Sequence, residues 1–347
     1  VAACAADDAW LAARHPSLAP LVASGALHCV RRPDTVPGAG PDAYVERRTD
    51  GYVEPELVVV LGSSHLSERS AEHADAVVRA LEPQSVVVEV CRSRAALLDD
   101  ESDAGDLSIS GRDGAVGTAA MAVARSLRLG GSAAMLMRVA MASSADALAE
   151  GAGQRAGGEF RAAARAAEAV GAEVVLGDRP LEITLQRAFA ALSPLDRLRF
   201  AAKMAASAAE ARRAGSEAVR EAIEAARTED SVLDAAVAEL QSSFPAILRP
   251  LVWERDVYLA WSLKRSKAVC GTKAVVGVVG KGHLRGVVHA LKADHGDLRF
   301  KDLTGGARSR LKPPSKREVA ARLAREAALL AGCYALWEAL RPVLAMG

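Results

Sequence analysis

The sequence predicts an α/β fold: a small parallel or mixed sheet with βαβ units, a large helical insertion and a C-terminal helix. Three observations predict it. LVVVLG at 57–62 is an apolar run that stops at glycine and meets a helix signal at once, as a strand buried on both faces would. The pattern returns as AVVGVVG at 274–280, again running into a helix. Between them, VVVEVC at 86–91 follows the first helix, so that 57–91 reads as one βαβ unit with a right-handed crossover.

Taken in order, residues 1–56 hold a short helical piece and the Pro/Gly-rich stretch RRPDTVPGAGPD, and read as a flexible lead-in to a domain over 57–303. A helix over 67–81 ends before Pro83. The helical insertion is expected over about 92–170 and 194–268, broken by the loop DESDAGDLSISGRDG. Between its two parts, a short strand at 173–177 runs into Gly177-Asp178-Arg179-Pro180, where the proline suits the first turn of a helix over 182–192. Residues 196–240, rich in Ala, Glu and Arg, read as a hairpin of long helices. A helix carrying WERDVYLAWSLK, a strand at 274–279, a helix at 284–293 and a last strand at 298–303 complete the domain. A linker with Pro313-Pro314 and an amphipathic helix fill 304–347.

Composition narrows the function. Half of the 347 residues are apolar, enough for a sizeable core. Forty-four Lys and Arg nearly cancel 43 Asp and Glu, so no global basic field argues for nucleic acid. The five cysteines are scattered and never in C-x-x-C spacing, which disfavours a disulfide framework or a zinc–cysteine site and suits a reducing compartment. The opening VAACAADDAW lacks a basic leader and a continuous apolar core, so no signal peptide is expected in it. The most apolar stretches, 115–142 and 327–344, are interrupted by Arg125, Arg128 and Arg138, and by Glu338 and Arg341. No spanning helix is expected, and the C-terminal stretch suits peripheral or anchored membrane association.

The chemistry gathers on two Gly-x-x-His units, ending in His65 and His283, each placed just beyond a strand. Open α/β sheets bind ligands beyond the carboxyl ends of their strands, so both histidines could face one crevice. Glu89 is an acid inside an apolar strand, a costly position unless the carboxylate is paired or holds a metal. A His/His/Glu set can hold a divalent ion that acidifies water and polarises a carbonyl. Without metal the same groups could act as general base and acid. The plain alternative is that each histidine caps a helix or bonds a loop. Arg179, at a strand end, can hold a substrate anion or carboxylate, or form the salt bridge that fixes its turn. Arg255 can stabilise an oxyanion or orient Glu89, and Asp256 can contact substrate or accept from a histidine Nδ1–H. Successive helical residues point different ways, so at most two of Glu254, Arg255 and Asp256 can enter one site. Cys91, beside the crevice, reads as a buried thiol.

The motifs LGSSHLSERSAE, PQSVVVEVCRSR, GDRPLEITLQRA, WERDVYLAWSL and VVGVVGKGHLRG, in that order over 57–303, resemble the TraB/PrgY/Tiki family, and most closely its eukaryotic TraB-domain branch. The resemblance implies an erythromycin-esterase/Tiki-like core. Tiki-type members are metal-dependent proteases marked by two G-x-x-H motifs, a glutamate, and an arginine followed by asparagine. Carried over, these imply metal ligation by His65, His283 and Glu89, with manganese or cobalt ahead of zinc, and catalytic roles for Glu89 and Arg255. Asp256 departs from the asparagine. Peptide or protein substrates and a mitochondrial or plastid location are also implied by the resemblance. The alternative is a non-catalytic, membrane-associated organellar scaffold or regulatory protein that keeps the fold. Nothing in the sequence fixes an oligomeric state.

Overall fold

The computed structural model describes residues 5–32, 51–63, 68–98, 157–197, 199–200, 202–203, 238, 241–296 and 298–304. Among the described residues five strands, β1 (Leu27–Arg31), β2 (Leu57–Ser63), β3 (Ser85–Val88), β4 (Glu173–Leu176) and β5 (Ala274–Gly280), form a sheet in the order β1-β2-β5-β3-β4. The last four in that order run parallel, and β1 closes one edge antiparallel to β2. The valine-rich runs favour extended, pleated backbone, and burial on both faces explains why they carry no polar alternation.

Successive side chains serve opposite faces of the sheet. Val59, Leu61, Val86, Val88, Val276 and Val278 point to one side. There they pack against α1 (Ala5–Arg14), α2 (Glu68–Leu81) and α3 (Gly158–Val170) through Leu11, Val77, Val78 and the small residues Ala74, Ala163 and Ala167. On the other side Val58, Val60, Val87, Val275 and Val279 meet α5 (Glu254–Arg265) and α6 (Lys281–Lys292), which supply Val257, Leu259, Leu263, Leu284, Val287 and Leu291. α4 (Leu181–Ala191) follows β4. Each fully buried Val or Leu contributes about 1.5–3 kcal/mol relative to exposure, which makes this two-sided core the main stabilising term. A Cβ on Gly62 would lie 2.6 Å from the Leu284 side chain, so glycine at the end of β2 is what lets α6 pass so close.

The βαβ unit over 57–91 is present, with β5 inserted between its two strands. Three expectations need correction. Residues 27–31 are not a flexible lead-in: Leu27 to Arg31 pair with Leu61 to Leu57, and α1 buries Leu11 against the sheet. The segment 254–265 is no insertion but a layer of the core, because Val257, Ala260 and Leu263 are fully buried on the sheet. The last strand expected at 298–303 is a single helical turn, Phe300–Leu303, whose Asp302 carboxylate accepts the Arg299 N–H (2.9 Å). The C-terminal helix and most of the expected helical insertion lie outside the described residues. Among the described residues no helix is long and apolar enough to cross a membrane.

Candidate functional site

Four parallel strands deliver side chains to one end of the sheet. Glu89 follows β3 directly and its N–H continues the ladder to Val278 O (3.0 Å). Asp178 lies two residues beyond β4. β5 passes into α6 without a loop, so His283 sits in the first helical turn. β2 ends beside β5, with Ser63 opposite Gly280 and the Ser63 hydroxyl donating to Val279 O (3.1 Å). The chain leaving β2 leads to His65, which lies outside the described residues.

The lid of this strand end is α5, entered through a wide turn, Arg249–Trp253, in which Glu254 N–H bonds five residues back to Arg249 O. Of its first three residues, Arg255 and Asp256 face His283, and Glu254 turns away. Arg255 Nε–H and Nη2–H donate to the two oxygens of Asp178 (3.1 and 2.8 Å). Nη2–H also donates to Glu89 Oε1, and Nη1–H donates to His283 Nε2 (2.8 Å). His283 Nδ1–H donates to Asp256 Oδ1 (2.6 Å). Glu89 Oε2 accepts the Gly280 N–H (2.7 Å) where α6 begins, a position at which unpaired backbone donors and the helix dipole favour a negative charge.

These bonds assign the histidine tautomer. A guanidinium can only donate, so Nε2 must be an acceptor and the ring proton resides on Nδ1, against Asp256. Burial pushes the Asp256 carboxyl up from its ordinary value, and the His283 hydrogen bond opposes that rise. Burial alone would draw the Arg255 guanidinium down, but the Asp178 and Glu89 carboxylates outweigh it and hold the group firmly charged. Among the described residues, three carboxylates, Glu89, Asp178 and Asp256, lie around that one guanidinium. Glu89, Asp178 and Asp256 are nearly buried, whereas Arg255 and His283 keep 18% and 12% of their side chains open to solvent.

Two atoms of the site stand at the spacing of ligands of one divalent ion. Glu89 Oε1 and His283 Nε2 lie 3.4 Å apart. Two ligands of one tetrahedral ion, each at about 2.0–2.2 Å, stand about 3.4 Å from one another. Nδ1–H directed at a carboxylate is also the usual support of a ligating imidazole. Among the described residues no third His, Cys, Asp or Glu completes such a group, and on topology alone the unit that carries His65 leaves the neighbouring strand.

The predicted residues therefore divide. Glu89, Arg255, Asp256 and His283 come together, and Arg179 does not. Its side chain is fully buried and donates to Thr184 (3.0 Å), Glu254 (2.7 Å), Leu303 O (3.2 Å) and Pro250 O (2.7 Å). This corrects the substrate-anion expectation in favour of a structural ion pair, which also joins Arg187 to Glu254. Cys91 is buried. Two residues went unread in the sequence. Asp178 stands beside Arg179 at a strand end, and that position was its signal. A Cβ on Gly286 would fall within van der Waals overlap of the Asp256 carboxylate (Oδ2 at 1.9 Å), so only glycine admits it. Its signal was the spacing, three residues beyond His283 on the same helical face.

Known proteins give the site its context. The chain is 31% identical over 249 residues to the human TraB domain-containing protein, covering 66% of this chain and 61% of that one. It is 29% identical over 292 residues to the bovine TraB domain-containing protein, covering 79% and 70%. An uncharacterized protein of Methanocaldococcus jannaschii is 25% identical over 246 residues, 68% of this chain and 53% of its own. This chain thus spans less than two thirds of the human relative it matches. The family model for TraB/PrgY/gumN matches residues 52–295, a span that holds every side chain of the site, and the chain belongs to the TraB/PrgY/gumN family.

Proposed function

We propose that this TraB-domain protein is a metal-dependent hydrolase of peptide bonds, built on an erythromycin-esterase/Tiki-like core. The observation that carries the reading is the pair Glu89 Oε1 and His283 Nε2: acceptor atoms at ligand spacing, with the imidazole proton held on the far nitrogen by Asp256. His283, Glu89 and His65 are the residues that would hold the ion, manganese or cobalt ahead of zinc. When bound, the ion polarises a carbonyl and makes water acidic near neutral pH. The remaining steps belong to the protein. Glu89 serves either as that ligand or as the base that takes a proton from the attacking water, Arg255 Nη1–H can stabilise charge developing on the carbonyl oxygen, and Asp256 keeps His283 in one tautomer. An organellar location and membrane association are part of the same proposal.

One observation favours a second reading. Glu89, Asp178, Arg255, Asp256 and His283 satisfy one another inside the protein, as a structural network in a non-catalytic scaffold would. A peptidase assay separates the two. Chelator-stripped protein supplied with Mn2+ or Co2+ is expected to cleave peptides, and Glu89→Gln and His283→Ala to lose on the order of 10²-fold or more. Folded protein that cleaves nothing under any metal supports the scaffold.

A further inference from the structure

The two edges of the sheet are finished differently. On β1, the backbone donors that point away from β2 are taken by α1: the Cys29 N–H donates to Asp8 Oδ1 (2.8 Å) and the Arg31 N–H to Asp7 Oδ2 (3.3 Å). Carboxylates set against an edge occupy the donors that another strand would use. β4, at the opposite edge, is not closed in this way. Its pairing with β3 includes the Glu173 N–H, donated to Gln84 O, and the Gly177 N–H, donated to Val88 O (both 2.9 Å). Backbone groups alternate sides along a strand, so the N–H and C=O of Val174 and Leu176 face outward. Among the described residues nothing pairs with them on that side, and Val174, Val175 and Leu176 are only half-buried.

We propose that this edge pairs with the same edge of a second copy of the chain, antiparallel about a two-fold axis at Val175. In that register the outward groups match: Val174 of one copy exchanges both backbone bonds with Leu176 of the other, and the reverse pair does the same. The side chains agree with it. Val174 meets Leu176 and Val175 meets Val175, apolar and β-branched neighbours that suit a pleated surface, while Glu173 falls opposite Gly177 and no carboxylate faces another. With 44 basic against 43 acidic residues, the chain also carries little net charge to hold copies apart. The strand is thus complementary to itself. Because the paired strands run in opposite directions, the two candidate sites stand at opposite ends of the shared sheet, and the pairing is independent of the chemistry proposed for them.

The test is sedimentation equilibrium of the full chain, for wild type, Val174→Pro and Leu176→Pro. Proline at an outward edge position removes one N–H and leaves the ladder to β3 intact. Wild type is expected to dimerise reversibly, and each proline variant to weaken the dimer roughly tenfold or more, since each loses a symmetric pair of bonds. Should the proline variants fail to fold, cysteine cross-linking decides. It is done in a Cys270→Ser background, because Cys270 is exposed. Val175→Cys would face its own copy with Cα atoms about 4.5 Å apart, within disulfide reach, whereas Glu173→Cys would stand roughly 13 Å away along the strand, out of reach. Mild oxidation is expected to link the first and not the second. A wild type that stays monomeric up to roughly 100 µM overturns the inference and leaves the edge to an extended segment of another protein. A dimer that both folded proline variants keep at full strength overturns it too, as does a cross-link at 173 in place of 175.

Discussion

His283 is held by an acceptor on one nitrogen and a donor on the other, Asp256 and Arg255. That arrangement depends on the absence of a side chain at Gly286, where Asp256 lies against the helix backbone. Gly286→Ala must therefore push the carboxylate aside. The expected outcome is a loss of about 10–100-fold in Mn2+ affinity, the usual cost of disturbing a ligand's support, with about 1–3 kcal/mol of stability. Asp256→Ala should weaken binding similarly, and the double variant little more than either, because both act through one hydrogen bond. Titration calorimetry on the three variants checks this, and additive losses would contradict it. At this scale the sequence showed which groups carry charge but not where their hydrogen bonds go. His28 illustrates the difference: nothing near it in the chain marked Asp8, 20 residues earlier, as the partner of its Nδ1 (2.8 Å).

α5 shows how one helix serves two purposes. Arg255 and Asp256 reach the strand end, while Glu254 is clamped between Arg179 and Arg187. Burial pushes the Glu254 carboxyl up, but the hydrogen bonds and charges of Arg187 and Arg179 outweigh it and hold it below the ordinary 4.5. A depressed folded-state value means that its stabilisation is complete above that ordinary value and is lost as pH falls through the lower one. Glu254→Gln leaves a fully buried Arg179 without its counter-charge, at a cost of about 3–5 kcal/mol at neutral pH. Denaturant unfolding at pH 7 and at pH 3 measures both: the gap between wild type and variant should narrow at the lower pH, and a gap independent of pH would contradict the assignment. The strands were legible because continuous valine runs bounded by glycine have few other fates. The same apolar pattern could not reveal that WERDVYLAWSLK lies flat on the sheet. Nor could it separate the short strand expected at 298–303 from the helical turn found there, since four apolar and charged residues fit either period.

Over the whole molecule, the order β1-β2-β5-β3-β4 does the assembling. By inserting β5 between β2 and β3, it sets the ends of β2 and β5 side by side and puts Glu89 just beyond the end of the next strand. Residues far apart in sequence thus meet at one crevice end, as open α/β sheets allow. The glycine and histidine after the last apolar run and the acid within VVVEVC made the meeting of His283 with Glu89 readable in advance. The edge strand β1 was hidden, because five residues with a histidine and an arginine among them carry a weak strand pattern. The account's central claim is that this strand end holds a divalent ion through His283 and Glu89. Its most direct test is calorimetric titration of the chelator-stripped full chain with Mn2+, for wild type and His283→Ala. A single saturable site in wild type that is lost in the variant is the predicted result. No saturable binding in wild type, or equal binding in a folded His283→Ala, would contradict it.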